Sequence, residues 1–313
     1  MTRFPHGLSS YGIPLVGSIP LVGVPNKLGK VWFVDAGLGS DGNSGQDPTQ
    51  AFATIQRAID LAGDGRGDTI FVFPGSYEEN LIVNKDYLTI TAAMVSGYAK
   101  PDIVPTSGLA LYNQAAQGMV LQNLRLAAPA EDIDLMRIEG NGYKIINCVL
   151  DGDAAQGNDK GLVRLKGNDT DDSYTASEGV IFGCLFRGSG GVGLIFDTAE
   201  VAVGVGETDV LVDSCVFIAN DQSDIVTADT GPGLYSVQRS EIFECRFMTK
   251  NKTNYIDLTT SNGGAAGDQN GAITGNRFAA DAIDATRVAM VGTGFVFNGN
   301  YDTVGLVDGS ALD

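Results

Sequence analysis

The sequence predicts an all-β fold, a single-stranded parallel β-helix (β-solenoid) that opens with a short capping helix. Three observations predict it. A six-residue apolar pattern recurs along the chain at intervals of 24 to 36 residues. Glycine accounts for 42 of the 313 residues, nearly twice its usual share, as many turns between short strands require. An amphipathic helical segment lies ahead of the repeats.

The repeat is clearest around the four cysteines, in segments 145–150, 181–186, 212–217 and 242–247, with further copies at 121–126, 273–278 and 297–302. Each copy begins with an apolar residue and has a cysteine or its substitute three residues later. Two residues after that comes Phe or Leu, except in the weaker last copy, which has Asp302. The position between the last two varies freely, as an outward strand position does. Second strands are expected at 162–165, 193–196 and 255–258. Stacked coils would bury a continuous core that no single coil could form.

Equivalent positions of the copies predict an internal ladder of stacked side chains, formed by Cys148, Cys184, Cys215, Cys245 and Asn276. Stacked side chains run parallel, whereas a disulfide needs Cβ atoms that point towards each other, so we expect reduced, buried thiols. Asn276 and Asn300 would satisfy each other, or neighbouring backbone, through amide hydrogen bonds. The alternative is a β-sandwich whose strands happen to be similar.

The segment before the repeats predicts a strand at 31–35 and then a helix. Asp47 is expected as N-cap, with Pro48 at the first helical position and Gln50 at the capping-box position. Apolar residues then follow at spacings of 3, 4 and 3, which predicts one buried helix face, and the glycines at 63 and 65 end it. That face consists of Phe52, Ile55, Ile59 and Ala62. Further strands are predicted at 68–73, 81–83 and 88–91.

The same segment carries a family resemblance. Its motifs are Val-Asp at 34–35, Gly-Ser-Asp-Gly-Asn-Ser-Gly at 39–45, Phe-Ala-Thr-Ile-Gln at 52–56, Gly-Asp-Thr-Ile at 67–70 and Pro-Gly-Ser-Tyr-Glu-Glu-Asn at 74–80. They resemble the opening of pectin-lyase-like right-handed parallel β-helices, strongly to about residue 92 and through the coil repeat to about 302. The resemblance implies that the helix caps the open end of the solenoid, where a sheet edge would otherwise be exposed. It specifies the fold and not the function, because this architecture hosts lyases, hydrolases, epimerases and non-enzymatic viral spikes.

We therefore expect two parts: an extended arm at 1–30, and a β-helix domain at 31–313 with its cap at 31–63, coils at about 68–302 and a tail at 303–313. The arm is rich in Pro and Gly yet apolar, so it can be neither a helix nor an ordinary solvated linker. We expect it to gain order from another surface, a partner's or its own. Its Arg-Phe-Pro start and short repeats resemble the N-termini of tailed-phage structural proteins that dock onto the virion. The candidate partner-binding residues are Phe4, Pro5, Tyr11, Ile13, Pro14, Leu15, Ile19, Pro20 and Leu21.

Composition excludes several functions. The formal net charge is −18, which argues against a nucleic-acid partner because phosphates need clustered Lys and Arg. The only histidine is His6, so neither histidine catalysis nor a histidine metal site is expected. We find no signal peptide and no run long enough to insert into a membrane, and expect a protein made and assembled in the host cytoplasm.

Candidate chemistry is confined to acidic loops. Carboxylates cluster between 151 and 172, with Lys160, Arg164 and Lys166 among them, and the candidate catalytic residues are Asp169, Asp171, Asp172 and Lys166. The resemblance implies calcium with an Arg or Lys base for a lyase, or paired carboxylates for a hydrolase. None of the family's catalytic signatures is present, so no residue is assigned a catalytic role. The alternative is that Asp and Gly fill turns and add solubility.

A second acidic group could hold a hard cation such as calcium: Asp35, Asp41, Asn43 and Asp47. Their spacing differs from the EF-hand pattern, and a structural turn is the alternative. We expect no cofactor.

The resulting prediction is a non-enzymatic phage virion protein, a capsid decoration that displays a β-helix and is anchored by its arm to the major capsid protein or another virion protein. By analogy with other β-helix virion proteins we expect a homotrimer on the virion surface. The alternative is a tailspike or free polysaccharide lyase or hydrolase that acts on an acidic or capsular glycan. A glycan-binding module without turnover is a third possibility.

Overall fold

The computed structural model describes residues 9–10, 13–16, 19–20, 29–93, 100–166, 176–198, 209–229, 237–250, 252–259, 270–280, 282–290 and 294–307. They form a right-handed parallel β-helix with a short N-terminal helix, which confirms the predicted fold class. Each coil passes through three sheets in turn. A strand in one coil pairs with its copy in the next, in parallel and in register.

Sheet 1 has eight strands: Leu81–Val83, Leu111–Asn113, Met136–Ile138, Gly161–Lys166, Val192–Thr198, Ile225–Asp229, Ile256–Leu258 and Val288–Met290. Sheet 2 has ten: Val31–Val34, Thr69–Val72, Thr89–Ala92, Val120–Gln122, Lys144–Ile146, Val180–Phe182, Leu211–Asp213, Gln238–Phe243, Asn270–Thr274 and Gly294–Asn298. Sheet 3 has ten: Ser76–Tyr77, Asp102–Ile103, Arg125–Ala127, Val149–Asp151, Leu185–Arg187, Val216–Ile218, Arg246–Phe247, Arg277–Phe278, Asn300–Tyr301 and Leu306–Val307. The last strand of sheet 3 is antiparallel to its neighbour. The predicted second strands are therefore confirmed, and they belong to sheet 1.

The six-residue repeat spans a corner and not a single strand, which corrects the prediction. In the coil around Cys148, one strand ends at Ile146 and the next begins at Val149. The residue before the cysteine slot has a positive φ in every described coil from the fourth strand of sheet 2 onward: Asn123, Asn147, Gly183, Ser214, Glu244, Gly275 and Gly299. This left-handed residue turns the chain from sheet 2 to sheet 3. Glycine and asparagine tolerate that conformation best.

Behind each corner, the cysteine slot forms a continuous buried column. The thiols are free and fully buried, and burial raises the pKa of the Cys148 thiol, which keeps it protonated. Each sulfur lies against a carbonyl oxygen of the preceding coil, as Cys215 Sγ does at 3.5 Å from the Ile181 oxygen. Asn276 occupies the same slot, where its Nδ2 donates to the Ile242 oxygen at 2.9 Å and to Asn300 Oδ1 at 3.0 Å.

The inward positions of sheet 3 stack aromatic rings along the solenoid. Phe186, Phe217, Phe247 and Phe278 lie in adjacent coils with ring centroids 4.6, 5.1 and 4.7 Å apart and nearly parallel planes. Such spacing places each ring in van der Waals contact with the next. The last residue of the repeat thus fills the core.

The predicted capping helix is present, but it begins later than the sequence predicts, at Ile55 and not at Pro48. Asp47 does cap a helix, but this is a 3-10 helix at Pro48–Gln50 that ends where Ala51 becomes extended. The α-helix spans Ile55–Leu61 and has its own N-cap, Thr54. Phe52 lies between the helices and pairs with Val34 of sheet 2. The helix packs against the strands 31–34, 69–72 and 81–83.

Asp68 ties the cap to the first coil. Its fully buried carboxylate accepts hydrogen bonds from Lys30 N, Trp32 Nε1 and Gly63 N and pairs with the Arg66 guanidinium. Burial alone would raise the pKa of this carboxyl, but these donors outweigh it and hold the pKa well below its usual value. One charged group therefore fastens the start of sheet 2 to the end of the helix.

Three short strands near the N-terminus, Ser9–Ser10, Ile13–Val16 and Ile19–Pro20, form an antiparallel sheet separate from the three solenoid sheets. The tandem apolar repeat of the sequence therefore pairs with itself. In the described ranges of the chain, no helix is long and apolar enough to cross a membrane.

Candidate functional site

Charged side chains are grouped on the outward face of sheet 1. Successive strands place Tyr112, Arg137 and Arg164 at equivalent outward positions, one coil apart. Asp134 and Glu139 from the coil of Arg137, and Asp197 from the coil after Arg164, lie beside them. Parallel in-register pairing thus brings together residues far apart in sequence.

Arg164 is the centre of this group. It is 9% exposed and pairs with Asp134 at 2.7 Å and with Asp197 at 2.9 Å. Burial disfavours its charge, but the two carboxylates outweigh that effect and raise the pKa of the guanidinium. Burial also raises the pKa of Asp197, although Arg164 opposes the shift.

A second set adjoins it one coil away. Arg137 pairs with Glu139 at 2.7 Å and lies over the Tyr112 ring, 5.6 Å from its centroid. The Tyr112 hydroxyl donates to Glu139 at 2.7 Å. Two guanidinium groups and three carboxylates of this face are thus joined in ion pairs.

This pairing limits the chemistry that the face can perform. A lyase base must lose its proton near neutral pH, whereas the neighbouring carboxylates hold the proton on Arg164. A hydrolase needs one carboxyl group to donate a proton and another to act freely, whereas Asp134 and Glu139 are each held by an arginine. Asp197, the carboxyl group whose pKa burial raises, is held by Arg164 as well. The arrangement fits a buried ion-pair network that joins coils.

The predicted catalytic residues divide into two sets. Lys166 ends a strand of sheet 1, and its register partner in the next coil is Asp197. The positive charge of Lys166 lowers the pKa of the Asp197 carboxyl and so opposes the effect of burial. Asp169, Asp171 and Asp172 lie outside the described residues. Asp151 is on a strand of sheet 3, not in a loop, and bridges Arg125 and Arg187.

The four candidate cation ligands are not brought together. Asp35 accepts from the backbone of Gly37 and Leu38, and Asp41 accepts from Ala53 N and from both the backbone and the hydroxyl of Thr54. Asn43 donates to the Ala51 oxygen, and Asp47 caps the 3-10 helix. Asp35 and Asp47 each hold their own turn, whereas Asp41 and Asn43 tie their loop to the backbone at residues 51–54. Across the described ranges, no three His, Cys, Asp or Glu side chains are grouped as metal ligands.

The candidate arm residues are only partly covered. Phe4, Pro5, Tyr11 and Leu21 lie outside the described residues. Ile13, Pro14, Leu15, Ile19 and Pro20 lie in the small antiparallel sheet.

A shallow groove lies at the corner between sheets 1 and 2, and sequence reasoning missed it. Its volume is about 300 Å³. It is lined by Tyr87, Gln117, Gly118, Val120, Asn141, Gly142, Lys144 and Glu178. Equivalent corner positions in successive coils are Tyr87, Gly118, Gly142 and Glu178, all with positive φ.

Gly118 leaves the space that the Tyr87 ring occupies at the groove. The Tyr87 ring lies against Gly118, where a Cβ atom would come within 2.5 Å of the ring. Tyr87 is 55% exposed and has φ of 57°, a conformation that bulky side chains rarely adopt and that often marks functional positions. The sequence signal for this groove was the pair Gly118 and Gly142. These glycines are 24 residues apart, as are the adjacent repeat copies at 121–126 and 145–150.

Comparison with known proteins bears on the fold. No protein-family model and no curated protein matches the sequence. Among solved structures, a rhamnogalacturonan lyase aligns over 87% of this chain and 74% of its own with a TM-score of 0.54 and 14% identity. Pectate lyase Pel9A aligns over 91% and 73% with a TM-score of 0.54 and 12% identity. The chain has a pectin-lyase-like fold.

A tailspike protein of the Acinetobacter baumannii bacteriophage Fri1, described as a capsular polysaccharide depolymerase, aligns over 90% of this chain and 60% of its own, with 13% identity and a TM-score of 0.43. That score is too low to carry a structural conclusion. Identities of 12% to 14% for the two lyases show a shared fold and assign no activity.

Proposed function

We propose that this protein is a non-enzymatic structural component of a phage virion, a β-helix displayed on the capsid surface. The observation that carries the proposal is the ion-paired outward face of sheet 1. Arg164 and Arg137 hold Asp134, Asp197 and Glu139 in ion pairs that join three coils, where proton transfer would need a group free to change its charge. Such a network stabilises a scaffold.

The N-terminal residues are proposed to attach the β-helix to the major capsid protein or another virion protein. They are apolar in sequence, and their described strands pair with one another and not with a strand of the three solenoid sheets. A small isolated sheet is only marginally stable by itself. Docking onto another protein would stabilise it.

The attachment is tested by sedimentation with virions assembled in the absence of this protein. We expect the full chain to sediment at a fixed copy number per particle and residues 27–313 to stay in the supernatant. A circular dichroism spectrum like that of the full chain would show that the shortened protein is folded. Equal occupancy by the two proteins would refute the anchoring role.

A second candidate function is glycan binding at the corner groove. The exposed Tyr87 ring can stack on the C–H face of a sugar because the ring face is negative and the C–H groups are positive. Glu178, Asn141 and Lys144 offer hydrogen-bonding groups at the rim. In a glycan array, Tyr87→Ala should abolish binding, whereas Tyr301→Ala, which removes an exposed tyrosine elsewhere, should leave it unchanged. Binding that survives Tyr87→Ala would exclude the groove.

A further inference from the structure

The outward face of sheet 2 is unusually apolar for a sheet surface in contact with water. Over the five strands from Val120–Gln122 to Gln238–Phe243, the apolar outward side chains are Val120, Ile146, Val180, Phe182, Leu211 and Phe243. Phe182 is 44% exposed and Phe243 is 38% exposed. Contiguous apolar surface of this kind marks an interaction site.

The charges on this face are arranged symmetrically about its middle. Lys144 lies one strand before Val180–Phe182, and Glu241 lies one strand after Leu211–Asp213, at the same position along the strand. A twofold axis parallel to the strands and midway between these two central strands exchanges the two charged positions. It places Lys144 of each copy opposite Glu241 of the other.

The same axis also matches the uncharged positions. Ile146 lies opposite Phe243, and Val180 lies opposite Leu211. One strand further out, Val120 meets Ala272 and Gln122 meets Thr274. Apart from Phe182, which lies opposite Asp213, apolar groups therefore face apolar groups and polar groups face polar groups, as an isologous interface requires.

Beyond the proposed virion role, we infer that two copies of this chain associate face to face through sheet 2, with their solenoid axes antiparallel. The partner is a second copy of this chain because the twofold axis brings the basic position of one copy opposite the acidic position of the other. This twofold pairing gives a dimer, in place of the homotrimer expected by analogy.

The matched surface is small, which sets the strength of association. Six strands about 4.8 Å apart and about 10 Å long give roughly 300 Å² per copy, compared with about 800 Å² in a standard interface. We therefore expect a reversible dimer with a dissociation constant of about a micromolar or weaker. Asp213 is the poorly matched residue, because it faces Phe182.

The test is sedimentation velocity of the full chain over a range of concentrations. Lys144→Glu and Glu241→Lys should each weaken dimerisation about tenfold or more, because each places like charges opposite one another at two symmetric points. The double variant should return to within about threefold of the original protein, because the pair is restored with its signs exchanged. Lys250→Glu makes the same change of charge at an exposed position outside the face and should have little effect.

A further variant tests the apolar half of the interface. Asp213→Leu should tighten dimerisation several-fold, because it removes a charge opposite Phe182. Circular dichroism checks that each variant is folded. Three results would overturn the inference. They are a trimer, a monomer at all concentrations up to about a millimolar, and single charge reversals whose effect the double variant does not restore.

Discussion

Replacing Phe217 with alanine tests how the solenoid is held together. Phe217 is fully buried and stacks on Phe186 at 4.6 Å and on Phe247 at 5.1 Å. Truncation of a buried Phe costs about 3–5 kcal/mol, and two lost aromatic contacts of about 0.5–1.5 kcal/mol each place this site at the upper end. We therefore expect a loss of about 4–5 kcal/mol in the free energy of unfolding.

Denaturant unfolding followed by two probes measures this loss and its location. Circular dichroism reports on all coils, whereas the single tryptophan, Trp32, is buried in the cap. Because each coil contacts only its neighbours, a defect near the middle of the stack should shift the circular dichroism transition more than the tryptophan transition.

The matched control is Phe243→Ala, which removes the same side chain from a position that is 38% exposed. Measured at low protein concentration, it should cost about 1 kcal/mol or less. Equal costs at Phe217 and Phe243 would refute the argument that the inward stack is the core of the solenoid.

Three more changes probe separate parts of the scaffold by denaturant unfolding. Cys245→Asn should be neutral or stabilise by about 1 kcal/mol, because Asn276 shows that this position accepts an amide, whereas Cys245→Leu should destabilise. Equal losses of stability in the two variants would contradict the interpretation that this position hydrogen-bonds the preceding coil. Lys252→Met should cost about 3–5 kcal/mol by leaving the buried Asp224, 2.7 Å away, without its partner, and adding Asp224→Leu should recover much of it. Folding lowers the pKa of Asp68, so its contribution to the free energy of unfolding should be fully present above about pH 4 and should decrease as the pH falls below that value. Asp68→Asn should make the free energy of unfolding depend less on pH in this range.

The sequence predicted the solenoid because parallel stacking repeats a residue type at each coil. The copies around Cys148, Cys184 and Cys215 show that repeat directly. It did not predict the corner, because apolar spacing alone does not distinguish one strand of six residues from two strands joined by a bend. The left-handed residue was the missed signal, visible as Asn147 and Gly183 just before the cysteines.

The cap and the charged face of sheet 1 were harder to predict from the sequence for a different reason. The late start of the cap helix depends on Asp41, which accepts hydrogen bonds from Ala53 N and Thr54 N from a loop 12 and 13 residues away. The partners of Arg164 come from residues 30 and 33 positions distant. Such pairs are set by the register between coils, and loops of unequal length hide that register in the sequence.

Assay of glycan cleavage by the full chain tests the central claim most directly. Purified protein would be incubated with a panel of acidic and neutral capsular polysaccharides, with and without calcium, and the products followed by size and by new reducing ends. The account predicts no product from any polysaccharide. Cleavage that disappears in Lys166→Ala or Asp197→Asn, with the fold retained, would contradict it and identify the outward face of sheet 1 as an active site.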